Sequence, residues 1–267
     1  MCELFAMSAR LPSTVSLSLE EFSRHGGLTG AHKDGWGIAW YEDGDVHLRK
    51  EALPASSSTA LKTVQAHPFS STLVVCHIRK ATQGDIATRN CQPFIRELGG
   101  AWHTFAHNGN LTGLRGDNRF KSGTFQPVGE TDSEQAFCAL LEAMRHRWRK
   151  GVVPPLEERL KVVTQFAADL RELGPANFLY SDGDVLFAHG HKRHQADGSI
   201  RAPGLWQLKR HCTEGGVFAS EGLTVEAKTG EQDVVLIASV PLSPENWEPL
   251  HEGTVLAMRL GRKATTP

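Results

Sequence analysis

The 267-residue sequence contains no apolar run approaching the roughly 20 residues needed to cross a bilayer, and it does not open on a basic stretch followed by an apolar one. The first absence argues against a membrane protein, the second against a secretory signal, and together they predict a cytoplasmic one. An excess of charge of one sign is also missing. With 29 Lys and Arg against 30 Asp and Glu, the formal charge is −1, so there is no global electrostatic reason to bind nucleic acid or an acidic membrane. The densest basic run, Arg145-His-Arg-Trp-Arg-Lys150, falls at the end of a predicted helix, where cations complement the helix dipole. No Cys-x-x-Cys pair occurs. Cys2, Cys76, Cys91, Cys138 and Cys212 are odd in number and widely spaced, which predicts reduced thiols rather than a disulfide framework or a zinc ribbon. The lack of a Pro/Ser-rich linker and of any solenoid-spaced repeat predicts a single domain over residues 1–267.

What is present is 40% hydrophobic and 22% charged, a globular composition with enough apolar residues for a sizeable core. Cys2-Glu-Leu-Phe-Ala-Met7 reads as a short strand. Trp36–Tyr41 and Val46–Arg49 flank Glu42-Asp-Gly-Asp45, and Asn177–Tyr180 and Val185–Ala188 flank Ser181-Asp-Gly-Asp184, two hairpin signatures. Leu73–Ile78 and Trp102–Ala106 are nearly continuous apolar runs, as expected of strands buried on both faces. Val234–Ala238 and Val255–Arg259 add two more strands. Two helices are predicted as cover. One opens on the capping-box pattern Thr131-Asp-Ser-Glu134 and lines up Phe137, Leu140, Leu141 and Met144. The other runs from about Leu156 to Leu173, with Leu160, Val163, Phe166 and Leu170 in register and Gly174-Pro175 as its stop. Many strands with few helices between them fit stacked sheets flanked by helices better than a doubly wound parallel sheet.

Cys2 stands out for chemistry. Removal of Met1 would put a thiol and a free α-amine on one residue, and an amine with a pKa of about 7.7–8.0 can accept the thiol proton near neutral pH. The bland alternative is a small apolar residue in a buried edge strand. His77-Ile-Arg-Lys-Ala-Thr82 ends a buried strand with Arg79, whose planar guanidinium can take a carboxylate bidentately. Ala106-His-Asn-Gly-Asn-Leu111 could present the Asn108 amide and the Gly109 N–H to an oxyanion, or could be a hairpin turn. Gly129-Glu-Thr-Asp-Ser-Glu134 sets Asp132 at a helix start, as a cap or as the partner of an ammonium group.

Taken in order, Cys2, His77-x-Arg79-x-Ala-Thr82, His107-Asn-Gly109 and Glu130-Thr-Asp-Ser-Glu134 resemble the glutaminase domain of class II (N-terminal nucleophile) glutamine amidotransferases. Asn90-Cys-Gln-Pro-Phe94 is similar to the family's N-x-x-P-[FH] stretch. The Cys-Glu-Leu opening, Asp34-Gly-Trp-Gly37 and the length make the chain most similar to the stand-alone YafJ-like branch. The motifs span residues 2 to 134; the rest matches only in its strand-rich pattern. The resemblance implies an α+β fold, the four-layer αββα sandwich of the N-terminal nucleophile hydrolases. It implies Cys2 as nucleophile with its own α-amine as base, Asn108 and Gly109 at the oxyanion, Arg79 and Thr82 at the substrate α-carboxylate, and Asp132 at its α-ammonium. It implies no cofactor and no metal. Lys80 departs from the family, where tryptophan usually follows the arginine, and leaves room for another amide substituent.

Three readings follow: an amidohydrolase acting on glutamine, with ammonia released or passed to a partner protein; a γ-glutamyl amide or peptide hydrolase; and a non-catalytic glutamine-sensing subunit. Outside the constellation, His189-Gly-His-Lys-Arg-His194, with His211 and Cys212 further on, reads as a solvated loop rather than a metal site, since no carboxylate sits at ligand spacing. The six tryptophans are expected as core or pocket walls, and Gly35-Trp-Gly37 reads equally as close backbone packing beside the site or as plain strand glycine.

Overall fold

Alternation along the first strand generates the layers. Leu4 and Ala6 project to one side, Phe5 and Met7 to the other, and all four are 0% exposed, so both faces of the strand are covered. Leu4 and Ala6 meet Ala106, Leu179, Ala188 and Leu256 of a second sheet. Phe5 and Met7 meet Phe22 and Leu61 from helices, with the Phe5 and Phe22 rings 6.1 Å apart. Leu4, Phe5 and Met7 each contribute about 1.5–3 kcal/mol by leaving water. The structure, a computed structural model, describes residues 2–14, 16–195, 197–212, 216–220, 223–227 and 231–265.

The first sheet has seven strands in the order Glu248–Pro249, Trp206–Cys212, Gln232–Ala238, Glu3–Ser13, Ser71–Ile78, Trp36–Glu42 and Asp45–Glu51. The strand that follows Cys2 is thus central, not an edge. The second has six: Arg262–Lys263, Val255–Arg259, Leu186–His189, Ala176–Ser181, Ala101–Gly109 and Phe94–Leu98. Every pairing within the two sheets is antiparallel. Both foreseen hairpins form, the first turning through Asp43 at φ 52° and Gly44 at φ 82°, the left-handed pair such a turn requires.

Helices Asp132–Met144 and Leu156–Arg171 cover the outer face of the second sheet around stacked Phe105 and Phe137, 5.4 Å apart, with Phe166 and Phe178 beside them. Thr131 caps the former, its hydroxyl accepting from the Glu134 N–H at 3.2 Å. Of two further helices, one was not foreseen, and only a loop or helix start was read for the other, at Ala55–Thr59. Ser16–His25 and Thr59–Ala66, the latter capped by Ser58, cover the first sheet and complete the αββα order. The strands Phe94–Leu98 and Trp206–Cys212 were likewise not foreseen. Among the described residues no helix is long and apolar enough to cross a membrane.

The segment 189–194 corrects its reading as a solvated loop. His189 closes a strand and is 0% exposed, His191 and Arg193 are buried, and His194 is exposed. Desolvation pushes the His189 imidazole pKa down to about 4 and lowers that of His191, so burial favours the neutral form of both rings.

Candidate active site

Glu3 pairs with Ile78 across the central strands, which brings Cys2 against the residues that follow Ile78. Its thiol lies in a cradle of Lys80 backbone: the Lys80 N–H donates to Sγ at 3.3 Å, and the S–H faces the Lys80 carbonyl at 3.4 Å. Burial pushes the thiol pKa up; the Lys80 hydrogen bond and the Arg79 charge pull it back, and the Asp132 carboxylate pushes it up again. Two opposite charges therefore act on one sulfur.

Arg79 is 3% exposed. Its backbone N–H donates to Gly35 O at 2.7 Å. Its guanidinium holds the carbonyls of Asp85, Gln83 and Gly84 at 3.0, 2.9 and 3.2 Å, which shapes the following loop. A β-carbon on Gly37 would stand 2.2 Å from Gln92 O and one on Gly35 2.5 Å from Cys91 Sγ, so of the two readings of these glycines close packing is the one that holds. Thr82 is exposed.

Asn108 and Gly109 end a strand rather than turn a hairpin. The Asn108 amide is fully buried; Nδ2 donates to the Cys2 carbonyl and to Ser239 Oγ, the latter at 3.3 Å. The preceding His107 is fixed by Gln92 Oε1, which accepts its N–H at 2.6 Å, and by Ser133 Oγ, 2.9 Å from Nδ1. Asp132 is the first residue of its helix, not its cap. Oδ2 accepts from Leu111 N at 2.8 Å and from Gln83 Nε2 at 3.4 Å, and Oδ1 from Ser133 N at 2.8 Å. Glu130 joins the remaining motifs by accepting from Arg89 at 2.6 Å and from Asn90 at 2.5 Å.

The structure thus gathers Cys2, Arg79, Asn108 and Asp132, leaves Thr82 on the rim, and adds Gln83, Gln92, Ser133 and Ser239, which sequence reasoning missed. His77 is buried, and neither ring nitrogen has a hydrogen-bond partner among the described residues; desolvation, with Arg79 next, drives its pKa well down. Elsewhere, strand pairing carries Asp233 to His211, whose Nδ1 is 2.8 Å from Oδ1, with Glu231 close by. Carboxylates do reach that histidine, against the expectation from spacing. Arg262 and Arg10 hold both of them, at 2.6 and 2.9 Å. The Cys212 side chain lies outside what is described.

The model of the class II glutamine amidotransferases matches residues 1–266. YafJ of Escherichia coli K12 is 36% identical over 267 residues, spanning 98% of this chain and 99% of that one. A solved structure described as a predicted glutamine amidotransferase from Pseudomonas aeruginosa PA01 superposes with a TM-score of 0.69 at 34% identity, covering 99% and 100% of the two chains. Glutamine phosphoribosylpyrophosphate amidotransferase from B. subtilis shares the fold, with a TM-score of 0.59 at 14% identity over 97% of this chain and 47% of its own. The ordered motifs, the four layers and these relatives lead to one conclusion: the chain belongs to the class II glutamine amidotransferase family.

Proposed function

We propose that this protein hydrolyses the side-chain amide of glutamine to glutamate and ammonia through a γ-glutamyl thioester on Cys2. The observation that supports it most is the meeting, at one thiol, of a backbone cradle, an amide donor on the same residue and two charges of opposite sign. Because burial raises the thiol pKa, a base is needed near neutral pH. Once Met1 is gone, the Cys2 α-amine takes that proton and sulfur attacks the amide carbon. Asn108 Nδ2 and the Gly109 N–H hold the oxyanion, while Arg79 and Thr82 bind the α-carboxylate and Asp132 the α-ammonium group. The protonated α-amine returns its proton to the leaving nitrogen, the C–N bond breaks and ammonia departs, to solvent or to a partner protein. Water then cleaves the thioester, giving glutamate and restoring the thiol.

Purified protein should release glutamate from glutamine, with an intact mass lacking Met1, and Cys2→Ala should abolish the release. Turnover at the wild-type rate in that variant excludes Cys2 as the nucleophile. Glutamine binding without turnover, in a chain that starts at Cys2, would support the glutamine-sensing subunit instead. A second reading has its own observation: Lys80, whose backbone cradles the thiol, has an exposed side chain. Such a site suits γ-glutamyl amides with a larger leaving group. A panel of γ-glutamyl compounds decides, and a strong preference for glutamine rejects this second reading.

A further inference from the structure

Ser239 follows the strand Gln232–Ala238, belongs to none of the motifs and is 1% exposed. All its backbone and side-chain oxygens and its N–H are engaged. Oγ accepts from Leu4 N at 3.0 Å and from Asn108 Nδ2 at 3.3 Å, its N–H donates to Leu4 O at 3.0 Å, and its carbonyl accepts from Arg193 Nη1 at 2.5 Å. One hydroxyl therefore ties the strand that follows the nucleophile to the amide on the facing sheet.

An amide nitrogen has two hydrogens. One on Asn108 points to the Cys2 carbonyl and the other to Ser239. Asn108 Oδ1 is buried and has no partner among the described residues, so nothing holds the amide from its carbonyl side. When a developing oxyanion takes the hydrogen now on Cys2, Ser239 is the group left to fix the rotation of that amide. Arg193, buried in the segment 189–194, backs it: it grips the Ser239 carbonyl and reaches to 4.0 Å from the Glu3 carboxylate, next to the nucleophile.

Building on the role proposed above for Asn108, we infer that Ser239, clamped by Arg193, is a positioning residue that keeps the Asn108 amide aimed at the oxyanion. The test is a double-mutant cycle on the processed protein with glutamine as substrate. Ser239→Ala should lower kcat about tenfold with KM within about twofold, the loss expected for one neutral hydrogen bond acting on the transition state. Ser239→Thr, which keeps the hydroxyl, should recover most of it. Asn108→Ala/Ser239→Ala should be no slower than Asn108→Ala alone. Ser239→Cys keeps the volume and weakens the acceptor, and serves the same cycle if the alanine variant does not fold. Losses that multiply, or a raised KM with kcat intact, overturn the proposal while leaving the Asn108 role standing. Full turnover in Asn108→Ala overturns that role itself.

Discussion

Gly109 is where a single atom decides the local geometry. A β-carbon there would stand 1.7 Å from Pro175 O and 2.7 Å from His107 Nε2, and neither backbone nor a ring held by Ser133 can yield freely. Gly109→Ala should part the strands at the Gly109–Ala176 pair, cost about 1–3 kcal/mol and lower kcat as the N–H moves; urea unfolding and a glutaminase assay on one sample check both. Unchanged stability would mean that this pairing is slack. At this scale the sequence was informative wherever residues came in motifs. Asn108 and Gly109 were legible because they sit between recognisable neighbours. Ser239 and Arg193 were not: a lone serine carries no signal, and its bond to Asn108 spans 131 positions. The histidines at 189 and 191 misled because polar composition conceals how readily a neutral imidazole is buried.

Helix Ser16–His25 is the element with the clearest dependence on pH. His25 Nδ1 lies 2.8 Å from Glu3 Oε2, with Glu21 3.5 Å from Nε2; His32 and Arg193 face the same carboxylate. The Glu3 bond raises the His25 pKa above its ordinary 6.5; burial pushes Glu3 up, but His25 with His32 and Arg193 together hold it below its ordinary 4.5. A raised histidine stabilises fully below its unfolded value and loses that contribution as pH rises through the folded one; a lowered carboxylate stabilises above its unfolded value and loses it as pH falls. The pair is therefore strongest between pH 4.5 and 6.5. His25→Gln should lower Tm in that window, and the deficit should shrink as pH climbs to about 9. A deficit independent of pH would assign the loss to packing. This helix was illegible because its anchors are Phe22 in the outer core and an ion pair with residue 3, both tertiary. Helix Asp132–Met144 announced itself through its cap and stripe.

At the scale of the molecule, Arg159 and Asp182 form the most enclosed ion pair among the described residues, their side chains 1% and 0% exposed and 2.8 Å apart. Asp184 adds a second carboxylate, bridging Arg159 to Arg259 at 2.9 and 2.5 Å. The pair joins helix Leu156–Arg171 to the turn after Ala176–Ser181, at the other end of that strand from the Asn108–Asn177 pairing. Asp182→Asn leaves Arg159 with Asp184 as its remaining carboxylate and should cost about 1–3 kcal/mol, seen as a lower urea midpoint, with KM for glutamine unmoved. A shift in KM would show that the two ends of the sheet are coupled. The layered architecture was legible from strand count and hairpin turns, but strand order was not, because it depends on pairings between distant segments. That order has a consequence in time. The strand behind Cys2 is seated between residues 71–78 and 232–238, so it cannot be enclosed until residue 238 has left the ribosome. Residues 5–9 are made well before their partners 234–238 and are shielded only after them, and on the mechanism proposed above that interval is the one in which the Cys2 amine would be freed.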